Sequence, residues 1–463
     1  MNEILKNDLD NFASILDEIQ KDSISFLNNI NEVPTSNTNQ ETDIFHLPVT
    51  GLGASTTLGL FNEHFKKLIV SSAGPRYWGY VIGGVTPAAL AGDWLTSVFD
   101  QNTQSTQGSG DISAIVELQT IKLMTELFRL PDHFNGGFVS GATMSNFTCL
   151  AVARQWAGRL LDKDIAREGM SGEIVVLAAT PHSSVIKSLS MLGFGSNNII
   201  KVKVEQGRER IDLEDLEQKL IQFSGKPVIL NCSAGTVNTV DFDDFQALTV
   251  LKNRYNFWMH VDAAFGAFAA CSDDYIHLLN GWENADSITI DCHKWMNVPY
   301  DSAIFLTRKE YQKLQVETFQ NSNAPYLGNP EENFSYLNFL PENSRRFRAL
   351  PAWFSLMAYG KEGFKWIVQN SVDCAALFKN YLETSEHFEV LGNVNLNVVC
   401  FGLKNQSKTS EFLNILNRRG KIFMTPTMLD NRQCIRAAFV NYRTTKEDID
   451  IAIQEMEAVL ENL

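Results

Sequence analysis

The sequence predicts an α/β fold in which a mostly parallel sheet is flanked by helices. Three observations carry that expectation. Strand-like runs alternate with amphipathic helical stretches from about residue 76 to about 350. The chain has 463 residues, enough for a large core and two domains with an appendage. Its apolar share of 44% and charged share of 20% are those of an ordinary globular protein.

Residues 1 to about 75 read as an N-terminal helical arm. The opening "MNEILKNDLDNFASILDEIQ" is an acidic amphipathic helix, with Ile4, Leu5, Phe12, Ile15, Leu16 and Ile19 at helical spacing. It lacks the basic start, apolar centre and small-residue cleavage site of a signal peptide. A polar break, "NEVPTSNTNQETD" at 31–43, has the composition of a linker. The large domain is expected over 76–350, with strands in "GGFVSG", "EIVVLAA", "IIKVKV", "PVILNCSA", "FWMHVDAA", "ADSITID" and "SAIFLT". A smaller α+β domain is expected over 351–463. There a long helix at about 360–384 leads into "FEVLGNVNLNVVCFGL", a helix near 408–419, and "IRAAFVN".

Charge and composition narrow the partners. A net charge of −15 argues against nucleic acid or an anionic membrane as the main partner. No apolar run approaches the roughly 18 residues of a membrane helix. The seven cysteines are scattered without CxxC pairing, which points to reduced thiols in a cytoplasmic protein, and no metal is expected.

Ligands of open α/β sheets sit beyond the carboxyl ends of the strands, where several polar residues of this chain fall. In "DSITIDCHKWMNVPYDSA" a strand-like start ends in His293 and Lys294, followed by apolar Trp295 and Met296. Lys294 can pack its stem and extend its ammonium to water. A lysine in a partly apolar pocket can instead act as a Schiff-base nucleophile. In "SGATMSNFTCLAVARQW", Gly141, Ala142 and Thr143 open a helix whose N–H groups suit a phosphate, although Ser140 or Thr143 would also serve as a cap. His182 follows a strand and opens a helix, where its ring could lie against a flat ligand or be a satisfied structural residue. Asp262 ends a strand, with Ala263, Ala264 and Gly266 leaving space above it and no Arg or Lys within three residues. A buried carboxylate needs a partner, so Asp262 finds one elsewhere in the fold or in a ligand.

These residues carry a family resemblance. The stretches "GPRYWGYVIGGVTPAALAGDWL", "VSGATMSNF", "PHSSVIKS", "AGTVNTVDFDDF", "WMHVDAAFGAFA", "ADSITIDCHKW", "SRRFRAL" and "FVNYRTTKEDID" occur in family order across roughly residues 46–455. The chain resembles the group II pyridoxal 5'-phosphate (PLP) decarboxylases, which act on aromatic amino acids, glutamate or diaminobutyrate. The resemblance implies a fold-type I PLP enzyme and a homodimer with its active site near the subunit interface, embraced by the N-terminal arm. It implies conversion of an L-amino acid to the amine and CO2 through an external aldimine and a quinonoid.

The implied roles attach residue by residue. Lys294 matches the lysine that binds PLP, and Asp262 the carboxylate paired with the pyridinium nitrogen. His182 matches the histidine stacked on the ring, and Ala264 the small residue against its other face. Ala142, Thr143 and Asp291 match positions near the phosphate, where Met144 replaces a serine of some relatives. Thr236 matches a threonine near the cofactor, and His293 the histidine preceding the lysine, as catalyst or positioning residue. Tyr336, nine residues before Arg345, matches by spacing a loop tyrosine implicated in protonating Cα. It falls in a polar, Asn-, Gly- and Pro-rich stretch, about 320–344, that reads as a lid. An ordinary surface tyrosine is the alternative there.

Tyr80, Val81 and Ile82 match the substrate-pocket segment, and favour an aromatic or other apolar L-amino acid. Within that stretch only Arg76 is basic, so an acidic side chain has no evident partner. An aminotransferase would clamp the α-carboxylate with a small-domain arginine, for which Arg436 and Arg443 are available. An aldehyde synthase is a closer variant, against which Tyr336 argues. An inactive, PLP-binding dimeric interaction protein is the alternative from another class, opposed by the intact Lys294, Asp262 and His182.

Overall fold

The structure is a computed structural model that describes residues 1–38, 44–106, 111–320 and 334–463. The expected linker at 31–43 and lid at 320–344 therefore lie partly outside the described residues.

All seven predicted strand stretches form one sheet. In chain order the strands are β1 (Phe134–Val139), β2 (Val175–Ala178), β3 (Ile199–Lys201), β4 (Val228–Ser233), β5 (Trp258–Asp262), β6 (Ser287–Asp291) and β7 (Ala303–Arg308). Their spatial order is β1-β7-β6-β5-β4-β2-β3. The central pairs β2–β4, β4–β5 and β5–β6 are parallel, whereas β7 runs antiparallel to both β6 and β1. Strands β2, β4, β5 and β6 are buried along their whole length, as expected of strands covered on both faces. Apolar residues such as Leu177, Leu230, Val261 and Ile288 fill those positions and build the core. The register sets Ser233 beside Asp262 and Asp262 beside Thr289, so the polar strand ends lie along one edge of the sheet.

A second sheet of four antiparallel strands is made by β8 (Phe388–Val390), β9 (Val398–Leu403), β10 (Thr425–Leu429) and β11 (Arg432–Ala438), in the order β10-β11-β9-β8. The long helix packed against it runs over Ala349–Thr384, earlier than expected, and breaks at Gly360, whose φ is 56°. Strand β10 was not among the expected strands. It contains Pro426, which an edge strand tolerates because its backbone nitrogen need not donate to a neighbour. Asp430 and Asn431, both with positive φ, turn the chain from β10 into β11. Trp78, in the stretch expected to open the large domain, packs into the core of this second sheet against Phe378 and Phe439.

The N-terminal amphipathic stretch forms two helices, Glu3–Asp10 and Phe12–Asn28, of which only Ile15 is buried. Among the described residues, no helix is long and apolar enough to cross a membrane.

Candidate active site

A cavity of about 530 Å³ opens where the carboxyl ends of the central strands meet the second sheet. Asp262, the last residue of β5, reaches it with a largely buried carboxylate. Its Oδ2 accepts a 3.1 Å bond from Asn146 Nδ2, and its Oδ1 a 3.2 Å bond from the backbone N–H of Ala264. The partner that the sequence left unnamed is thus an amide from the helix Ala142–Arg159, not a cation. His182 caps the helix that follows β2, its Nδ1 accepting from Ser184 N at 3.2 Å and lying 2.8 Å from Ser184 Oγ. The residue lines the cavity, and loss of solvent around the ring pulls its pKa below the usual histidine value, partly offset by Asp262.

Lys294 enters from the turn after β6. Its Nζ makes a 2.9 Å ion pair with Asp291 Oδ2 and lies 5.8 Å from the centre of the Phe265 ring. Asp291, expected beside a phosphate, is therefore the partner of the lysine, and its buried Oδ1 has no hydrogen-bond partner among the described residues. His293 stands 3.6 Å from that oxygen through Nε2. Its Nδ1 accepts the Ser302 N–H at 3.2 Å, which places the ring proton on Nε2. Burial lowers its pKa, and the ring stacks on Tyr300 with centroids 4.2 Å apart. Burial also pushes the Tyr300 phenol up to about 12.

The turn at Tyr80, Val81 and Ile82 lines the same cavity. Tyr80 and Val81 hold φ values of 55° and 59°, a left-handed backbone that is costly for a β-branched residue and is retained where structure around it enforces it. Two features enforce it here. A Cβ on Gly83 would fall 1.8 Å from the carbonyl oxygen of Lys294, so the turn lies directly on the lysine's backbone. Buried Asn297 ties both segments together, accepting from Gly84 N and Tyr442 N while donating to the carbonyls of Trp295 and Val440.

Thr236 and Ala264 line the cavity as well. Thr236 donates a 2.7 Å bond to Glu209 Oε2, a carboxylate that also accepts from the N–H and hydroxyl of Thr239. Arg436 of β11 completes the lining, its buried Nε without a hydrogen-bond partner among the described residues. Ala142 and Thr143 open their helix beside the site, since a Cβ on neighbouring Gly141 would lie 3.3 Å from His293 Cε1.

Tyr336 is the sequence candidate that the structure does not bring to the cavity. It is fully buried among Ala114, Val139, Cys149, Phe305 and Phe339, and its hydroxyl donates to the Gly136 carbonyl at 3.3 Å. Arg345 lies 4.5 Å from its ring centre and pairs with buried Glu117. The nine-residue spacing to Arg345 thus corresponds to a packing contact within the core. Sequence reasoning in turn missed Asn146, Glu209, Asn297 and Tyr300. Tyr300 alone had a local sign, an aromatic residue in the polar turn just after the lysine.

Comparison with known proteins gives a concordant result. The pyridoxal-dependent decarboxylase conserved domain matches residues 58–404. An aromatic-L-amino-acid decarboxylase of Bacillus atrophaeus is 28% identical over 464 aligned positions, covering 95% of this chain and 93% of that protein. The structure of Oryza sativa TDC with PLP and tryptamine superposes with a TM-score of 0.90 at 20% identity, over 98% of each chain. That of Rhodiola rosea 4-hydroxyphenylacetaldehyde synthase gives 0.88 at 18% identity, over 98% of this chain and 99% of the other, so the fold alone does not separate amine from aldehyde production.

The residues present suit PLP. Lys294 offers an amine to an aldehyde, and Asp262 a carboxylate to a ring nitrogen. His182 offers a flat surface, and the small side chain of Ala264 leaves room for a planar group in the cavity.

Proposed function

The chain belongs to the pyridoxal-dependent decarboxylase family, and from that premise we propose that it converts an aromatic or other apolar L-amino acid to its amine and CO2. The observation that carries the substrate class is the wall of Tyr80, Val81, Ile82, Phe265 and Tyr300 around the strand-end carboxylate and lysine. Bound PLP supplies an aldehyde for the substrate amine and a conjugated ring that accepts electrons from the breaking bond.

The chain's own residues do the rest. Lys294 would hold the cofactor, and Asp262 would keep a proton on its ring nitrogen. His182 and Ala264 would confine the ring, Thr236 would stand near it, and the helix start at Ala142 and Thr143 would receive the phosphate. Arg436 has an unused donor and orients a substrate carboxylate; with Lys294 it makes up the lysine and arginine lining of the cavity among the described residues. His293, fixed by Ser302 and stacked on Tyr300, keeps the lysine turn and Asp291 in register. Lys294 lines the cavity and would be placed to return a proton to Cα. Tyr80 and Tyr300 line the cavity and would limit water around a bound substrate.

Arg436 favours a second reading, an amino acid with an acidic side chain, whose carboxylate it would bind. Incubating the holoenzyme with a panel of L-amino acids and weighing the products tests both. Amine and CO2 from aromatic or apolar substrates support the first reading; turnover confined to glutamate or aspartate supports the second. Keto acid or aldehyde as the main product overturns amine formation.

The arm over 1–75, the domains over 76–350 and 351–463, a homodimer and a cytoplasmic location belong to the same proposal. The exposed apolar residues of the N-terminal helices support the dimer.

A further inference from the structure

Beneath the cavity a chain of polar side chains runs through the core with no water-exposed member until it reaches the site. Trp258 Nε1 donates to Ser287 Oγ at 3.0 Å. Ser287 Oγ is 2.9 Å from His260 Nδ1, and His260 Nε2 is 2.9 Å from Asn146 Oδ1. Asn146 Nδ2 then reaches Asp262 Oδ2 and Ser184 Oγ, each at 3.1 Å, and Ser184 Oγ lies 2.8 Å from His182 Nδ1. Trp258, Ser287, His260 and Asn146 are completely buried.

The two ends fix every proton between them. An indole N–H can only donate, and a carboxylate can only accept. Asn146 must therefore turn its NH₂ to Asp262 and its oxygen to His260, which requires a hydrogen on His260 Nε2. Burial drives the His260 pKa down to about 4, so the ring is neutral and Nδ1 accepts from Ser287. The second Asn146 hydrogen goes to Ser184, whose hydroxyl hydrogen is left for His182 Nδ1. His182 then carries its own hydrogen on Nε2. All the donors point one way, towards the cavity.

We propose that Asn146 and His260 are positioning residues that act through Asp262 on the cofactor's ring nitrogen and, through the Ser184 hydroxyl, reinforce the His182 tautomer that the Ser184 backbone N–H already favours. This rests on the assignment of Asp262 to that nitrogen. A buried amide that could flip would present its oxygen to the carboxylate, and His260 prevents the flip. Loss of the set bond frees Asp262 to rotate and weakens its hold on the nitrogen, and neighbouring shells of this kind commonly contribute about 10–100-fold to affinity at metal sites.

The test compares PLP with 1-deazapyridoxal 5'-phosphate, in which a C–H replaces the ring nitrogen, binding to the full chain freed of cofactor and followed by fluorescence quenching. Wild type should prefer PLP. Asn146→Ala should bind PLP about 10–100-fold more weakly, but lose less than about threefold for the deaza compound. His260→Phe keeps the ring's bulk and should show the same pattern, and His260→Gln, which retains an N–H towards Asn146, should recover most of the loss. If Asn146→Ala does not fold, Ser287→Ala carries the same comparison. Equal losses for both compounds, or none for either, would overturn the relay while leaving Asp262 in place. A wild type that does not distinguish the two compounds would overturn the Asp262 assignment and the relay with it.

Discussion

At the carboxyl edge of β5 and β6, the functional side chains are held from within the chain. Asp262 takes two N–H donors, Lys294 an ion pair and His293 a backbone bond. The N-terminal helices are the reverse. Leu5, Leu9, Phe12 and Leu16 are 64%, 62%, 55% and 44% exposed, although their spacing makes one apolar face. A polar site can be completed inside one subunit because directional bonds need few partners. An apolar face gains only when a surface of comparable area covers it. On the proposed reading the chemistry would lie at the sheet edge, and the exposed face of the arm would be covered by a second subunit.

Four variants test that contrast. Asp262→Asn should have the largest effect, lowering turnover by on the order of 10²–10⁴-fold, the range for loss of a positioned acid–base group. Circular dichroism should stay native, because asparagine keeps the shape of the side chain and only one of the two N–H donors loses its acceptor. Near-normal turnover would show that the sheet edge is not where the chemistry lies. Replacing Leu5, Leu9 and Phe12 by Ser should lower the mass seen by light scattering from twice the 52.0 kDa chain mass to once. A variant that stays dimeric would show that the arm is not the joining surface.

His260→Gln tests the buried support of the site through pH. The folded-state pKa of about 4 lies below the unfolded value of about 6.5, so the fold favours the neutral ring. Its contribution is complete above about pH 6.5 and is lost as the pH falls towards 4, by about 3 kcal/mol in all. Denaturant titrations of wild type should show that decline, and the glutamine variant, which takes up no proton, should lack it. Tyr336→Phe should do least. Removing one buried hydroxyl bond costs about 1 kcal/mol of stability. Amine yield per CO2 should be unchanged, and a switch to aldehyde would bring Tyr336 back into the mechanism.

Much of this was legible in the sequence. The large sheet was readable because buried parallel strands are short apolar runs, and Asp262, His182 and Lys294 because each ends or follows one. What was not legible depends on long-range folding. Arg436 is available from the sequence but reaches the cavity only through the second sheet, and Asn146 meets His260 and Asp262 only when its helix packs against the strands. Their polar character was plain, but nothing local shows that an asparagine in a helix faces a carboxylate 116 residues away. Strand β10 was hidden by Pro426, since a proline lowers strand propensity without excluding an edge position. The spacing of Tyr336 to Arg345 follows equally from a contact in the core. The lid reading falls largely on residues outside those described.

The most direct test of the account is to locate the cofactor. The holoenzyme is reduced with borohydride, digested, and its peptides are sequenced by mass spectrometry. One pyridoxyl group per chain is expected, on Lys294 of "DCHKW", with little incorporation in Lys294→Ala. Label on another lysine, or undiminished label in the alanine variant, would contradict it.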